Sequence, residues 1–125
     1  CGRRGCFDTV CRAGRLTGYT DGSVEEFFRL LEEEDETAKR LWDEYLDHLT
    51  MAIHNVRMLF DGMVILGGYV GAHVGKYMDD ICRRVDERNP FGDRAKDYLV
   101  ECQYKVEASA AGAALFYIDE FLDNI

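Results

Sequence analysis

Two thiols stand at the head of the chain in Cys1-Gly2-Arg3-Arg4-Gly5-Cys6, separated by four residues whose glycines let the backbone turn back on itself. Zinc held in a closed tetrahedral site needs about four donors, usually Cys thiolates and His nitrogens. The motif supplies two. Cys11 with one of His48, His54 or His73 would complete a set, yet His48 and His54 lie on a segment of helical periodicity at a spacing that places them on different faces. Spacing alone leaves both readings open, half a zinc site or a pair of surface thiols. The second candidate is Ile65-Leu66-Gly67-Gly68-Tyr69-Val70-Gly71, an apolar run that passes through a glycine turn into a helix. Backbone amides at such a turn can face an anion, and the helix dipole favours negative charge there. Taken by itself, Gly67-Gly68 reads first as tight strand-to-helix packing. Asp43, Glu44, Asp47, Asp79, Asp80 and Asp119 fall on helical patterns where solvent accounts for them, and no Ser-His-Asp or paired-acid arrangement can be assigned.

The elements that would position these groups are legible in the periodicity. Ser23 followed three residues later by Glu26 has the spacing of a capping box, so a helix is expected to start there, with Phe27, Leu30 and Leu31 on its apolar side. Glu32-Glu33-Glu34-Asp35 reads as a solvated acidic turn. From Glu36 to about Phe60, Leu41, Tyr45, Leu49, Ala52, Ile53, Val56, Leu59 and Phe60 recur at three- and four-residue steps, which predicts one long amphipathic helix. Met63-Val64-Ile65-Leu66 predicts a buried parallel strand. A helix is expected over 72–86, with Val74, Tyr77, Met78, Ile81 and Val85 inward, and Asn89-Pro90-Phe91-Gly92 stops it. A strand over 98–106 and a last helix over 108–122 follow, the helix with Ala108, Ala111, Leu115, Ile118 and Leu122 on one side. Residues 1–22 read as motif and loop, and the order of elements indicates α/β, a small sheet covered by helices, in a single domain over 1–125.

Composition narrows the function. A formal charge of −9 gives a surface that repels phosphate backbones, so this segment is not expected to contact DNA. No stretch approaches the ~20 apolar residues that span a bilayer, and Cys82 and Cys102 sit in apolar-patterned segments as reduced thiols do. A soluble, cytoplasmic protein without a membrane partner is expected. The chain opens inside a dense Cys/Gly/Arg motif without an initiator Met, which suggests a fragment.

Cys1-Gly2-Arg3-Arg4-Gly5-Cys6-Phe7-Asp8 resembles the C-x-C-G-x-x-G-C-x-E signature of ROK proteins from its second cysteine onward, and Thr9-Val10-Cys11-Arg12-Ala13-Gly14 continues as the family commonly does. The Gly67-Gly68 turn is similar to the family's Gly-Gly or Gly-Gly-Gly turn, with Tyr69 in place of a third glycine. The segment from Lys105 to Leu122 resembles the family's closing helix with its small-residue core. These matches fall in the family's order and span nearly the whole chain. ROK proteins are sugar kinases and sugar-responsive repressors, so the resemblance implies the C-terminal lobe of an actin-like ATPase (ribonuclease H-like) fold.

That resemblance implies a structural zinc with Cys1 and Cys6 as ligands and two further ligands upstream. It implies a sugar-contacting carboxylate at Asp8, where the family has a glutamate one methylene longer, and a nucleotide phosphate at Gly67 and Gly68. The family's phosphate-holding Asp-Gly loop and catalytic Asn-Asp pair belong to an N-terminal lobe, so this chain alone is expected to be inactive. For the parent protein, the departures at Asp8 and Tyr69 lean toward a regulator responding to a sugar or sugar phosphate, which would reach DNA only through a separate N-terminal domain. An ATP-Mg-dependent sugar kinase is the alternative, and a packing or dimerisation lobe without ligand is the third. A homo-oligomer and a covering N-terminal lobe are the expected partners.

Overall fold

Ser23 caps its helix as its sequence position predicts. In a computed structural model, which describes residues 5–104 and 107–124, the backbone N–H of Glu26 donates to Ser23 Oγ at 3.1 Å and opens helix α3, Val24–Glu32. Only half of the capping box forms. The Glu26 carboxylate is taken by Arg29 at 2.9 and 2.6 Å, and the Ser23 N–H donates instead to the Thr20 carbonyl. Ahead of α3, the segment read as loop contains two short helices, α1 (Phe7–Cys11) and α2 (Gly14–Thr17), and Leu16 is one of the most deeply buried residues of the core.

The acidic run after α3 is more than a solvated turn. Asp35 N–H donates to the Leu30 carbonyl and Glu34 N–H to that of Leu31, the hydrogen-bond pair of a Schellman ending, with Glu34 in the left-handed region at φ 61°. Asp35 then caps the next helix, accepting from the Ala38 N–H at 2.8 Å. Helix α4, Glu36–Leu59, is the long helix the periodicity predicts, about 36 Å from end to end. Its buried positions, Ala38, Trp42, Tyr45, Leu46, Leu49, Thr50 and Ile53, follow the helical period and then stop. Val56, Leu59 and Phe60, expected to face inward, are exposed because no element described here covers the last turns.

Strand β1, Val64–Leu66, pairs in parallel with β2, Leu99–Glu101, in the register Val64 to Leu99, Ile65 to Val100 and Leu66 to Glu101. Leu66 is buried, but Met63 and Ile65 are exposed at 67% and 63%, so the strand is covered on one face only. β2 is shorter than the span 98–106 read from sequence, and residues 105 and 106 lie outside the described part. The helix expected over 72–86 is interrupted. A four-residue helix α5, Gly68–Gly71, leads through a 3-10 turn, Val74–Tyr77, into α6, Met78–Arg88. Two glycines lie at close approaches beside the break: a Cβ on Gly71 would lie 3.0 Å from the Leu66 carbonyl, and one on Gly75 2.6 Å from the Glu101 carboxylate. The Leu66 backbone leaves little room for a side chain at Gly71, whereas at Gly75 the neighbour is the end of the flexible Glu101 side chain. Val74, Ile81 and Val85 are buried as predicted, while Tyr77 and Met78 are half-buried.

Packing of α3, α4 and α6 closes the core, with Phe27, Leu46 and Ile81 at 0–1% exposure. On the outer side, Arg84 of α6 reaches Asp43 and Asp47 of α4 and Asp80 of its own helix. Helix α7, Ala108–Asp123, departs from its expected packing. Leu115, Ile118 and Leu122, the face predicted to be inward, are 52%, 52% and 59% exposed, as are Phe116, Tyr117 and Phe121 around them.

Candidate functional site

The motif segment rides on helix α4. Thr9 folds it locally, its N–H and hydroxyl both donating to the Cys6 carbonyl at 2.9 and 2.6 Å, which winds the five residues of α1. No α1 side chain is buried. It is tied to the body by Cys11, which packs half-buried against the core, and by the Tyr45 hydroxyl, which donates to the Cys11 carbonyl at 2.8 Å across 34 residues of sequence. Tyr45 is itself held in the core, stacked on Trp42 with centroids 5.6 Å apart and planes at 9°. Burial raises the Tyr45 hydroxyl above the usual phenol range, which keeps it protonated as a donor.

Asp8 and Cys6 are exposed on this platform, and Cys6 carries a free thiol. Cys1 lies outside the described residues. Cys11 is half-buried, and burial pushes its thiol up to about 11, which disfavours the thiolate that a metal requires. His48, His54 and His73 do not gather near these thiols: among the described residues no group of three or more Cys, His, Asp or Glu is placed to hold a metal ion. The described donors therefore do not by themselves fit a closed zinc site.

Gly67 and Gly68 stand where β1 runs into α5. Gly68 takes φ +77°, a backbone conformation that favours glycine, and faces open space, while a Cβ on Gly67 would touch that of Cys102 at 3.4 Å. Both a turn requirement and a close approach are thus present. Tyr69 projects from the turn at 70% exposure. A groove of about 560 Å³ links this turn to the motif segment, with Phe7 and Cys11 on one rim, Gly67 on the other, and Leu49, Ile53 and Leu66 along it. Asp8, Cys6 and Gly68 do not line it. Its walls carry no charged side chain, so a polar sugar has little to bind within it.

A more polar hollow of about 340 Å³ lies at the carboxyl end of β2 and was not foreseen. It is lined by Glu101, by His73 stacked on Phe28 at 4.7 Å, and by Lys76, which pairs with Glu32. Lys76 holds its proton more tightly than usual because of that Glu32 hydrogen bond and charge. Gly75 carried the signal: a glycine in an otherwise helical run marks a place where something else comes close, here the Glu101 carboxylate.

Helices around a parallel strand pair define a mixed α/β protein, with a glycine turn and polar groups at the carboxyl ends of the strands, the edge at which open α/β sheets generally bind ligands. The family model for ROK matches residues 1–120 of the 125, and the chain belongs to the ROK family, which comprises sugar kinases and sugar-responsive repressors. Comparison with curated proteins found no match, and comparison with solved structures found none. Among the described residues no helix is long and apolar enough to cross a membrane.

Proposed function

We propose that this chain is the C-terminal sugar-binding and self-associating part of a ROK-family transcriptional regulator that responds to a sugar or sugar phosphate. In this reading it forms the C-terminal lobe of an actin-like ATPase fold. Asp8 accepts hydrogen bonds from sugar hydroxyls, and any contact with DNA belongs to a separate N-terminal domain. The single observation that carries the regulator reading is Tyr69, whose exposed phenol stands at the glycine turn where the resemblance would place a nucleotide phosphate. The carboxylate at Asp8, shorter than the family's glutamate, points the same way. Zinc held by Cys1, Cys6 and two donors outside the chain is part of the reading by resemblance. The uncovered apolar groups of α4, β1 and α7 support partners in the form of an N-terminal lobe and a further copy of the protein.

The kinase reading has its own support in Gly68, whose left-handed backbone at the end of β1 leaves open space around the turn. A ligand-free packing lobe would leave Asp8 without a role. The deciding experiment incubates the intact protein with ATP-Mg and D-glucose, N-acetylglucosamine or glucose 6-phosphate, following sugar binding by calorimetry and ATP hydrolysis by release of ADP. Sugar binding without sugar-dependent ADP release is the expected result. ADP release that depends on a sugar would make the parent a kinase, and no binding of any of the three would favour the packing lobe.

A further inference from the structure

The motif segment is poorly anchored for a part that must present a carboxylate accurately. Helix α1 has five residues and no buried side chain; Asp8 and Cys6 are exposed, and Phe7 is 52% exposed. A binding group is effective only when its support holds it within about half an ångström of the productive position. Local hydrogen bonds from Thr9 shape the turn but do not place it on the body of the protein. Placement falls to the C-terminal end of α1, where Cys11 packs half-buried against the core and its carbonyl receives the Tyr45 hydroxyl at 2.8 Å, the directional part of that contact.

We propose that Tyr45 is a positioning residue for the sugar-contacting carboxylate, acting through its hydrogen bond to the Cys11 carbonyl to fix α1, and with it Asp8, against helix α4. This rests on the reading of Asp8 as a sugar contact. The arrangement suits the task because Tyr45 has little freedom of its own. It is 6% exposed and stacked on Trp42, which meets Phe28 and Tyr77 edge-on at 5.2 and 5.1 Å. The hydroxyl therefore projects from a packed aromatic cluster toward a backbone carbonyl, a partner that sequence changes within α1 leave in place. The phenol stays protonated throughout the physiological range, so the latch does not open with pH.

Tyr45→Phe keeps the ring and its stacking and removes the hydroxyl alone. In the intact protein it is compared with Asp8→Asn and with the double variant, using calorimetric titration with D-glucose, N-acetylglucosamine and glucose 6-phosphate. Amide hydrogen exchange is read separately over residues 7–11 and over α4. Tyr45→Phe is expected to weaken sugar binding about three- to tenfold, the range for one lost hydrogen bond, and to speed exchange in 7–11 while α4 stays protected. In the Asp8→Asn background the same substitution should have no further effect on affinity, which a purely structural role would not produce. If Asp8→Asn weakens binding and Tyr45→Phe does not, or if the two effects are fully additive, the positioning role is overturned while the sugar reading stands. Unchanged affinity in Asp8→Asn removes the sugar reading and this inference with it. Should Tyr45→Phe lose protection across α4 as well, Tyr45 is a general core residue and the proposal fails.

Discussion

Asp8, Cys6 and Gly68 each occupy an exposed position, and the question at the residue scale is what each gains from its surroundings. For Gly68 the answer is local, since φ +77° costs any L side chain about 1–2 kcal/mol and the turn cannot form otherwise at the same price. Cys6 gains nothing from its described neighbours: the adjacent donors do not gather, and Cys11 is held as a thiol by burial. A metal at Cys6 must draw its remaining ligands from Cys1 and from beyond the described residues, and binding would then tie separate stretches of chain together. Cys6→Ser in the intact protein is accordingly expected to lose zinc and thermal stability together, read by atomic emission and by a melting curve. Unchanged metal content would remove Cys6 from the ligand set. The motif residues were legible in the sequence because their spacing is local, whereas Glu101 and His73 were not, since the 3-10 turn and the strand end meet only in three dimensions.

Helix boundaries at the element scale follow side-chain chemistry that acts over three or four residues. Ser23 and Asp35 each accept from an N–H three residues on; the beginning of α3 was readable from Ser23 for that reason, whereas Asp35 reads in sequence as part of a solvated turn and the start of α4 was legible from its apolar period. The link between them also exposes a cost. Glu34 holds the left-handed position of the Schellman ending, which glycine normally occupies. Glu34→Gly is expected to stabilise the protein by about 0.5–1 kcal/mol, because it relieves the left-handed strain and removes one charge from an acidic run. An unchanged or lower urea midpoint at neutral pH would show that the turn is not strained. Elements whose course depends on distant chain were read less well. The helix expected over 72–86 opens instead as a 3-10 turn where Gly75 meets Glu101; the glycine marks a close approach, but the helix pattern does not say what approaches.

Across the whole molecule, among the described residues, ion pairs close the side where α4 meets α6, while apolar groups at the end of α4, on β1 and along α7 stay uncovered. The closed side rests on Arg84, bound by Asp43, Asp47 and Asp80 between α4 and α6. Partial burial tends to raise the Asp80 carboxyl, but hydrogen bonds from Arg83 and Arg84 outweigh it and hold the group below its ordinary value. A folded-state pKa lowered in this way contributes stability above the unfolded value near 3.8 and loses it as the pH falls through the folded value. Urea midpoints should therefore decline below about pH 4, and Asp80→Asn should reduce the steepness of that decline. An identical acid slope in the variant would show that the clasp contributes no pH dependence. By itself the sequence determined the family, the Ser23 cap, the long helix and the strand entering a glycine turn, because motif spacing and hydrophobic period are properties of neighbouring residues. Only the tertiary structure decided that burial ends at Ile53 on α4, that Ile65 and the apolar residues of α7 stay uncovered, and that Tyr45 holds the motif segment. Periodicity states that a face is apolar; which chain covers it, and which carbonyl lies within reach of a hydroxyl 34 residues away, is settled by packing.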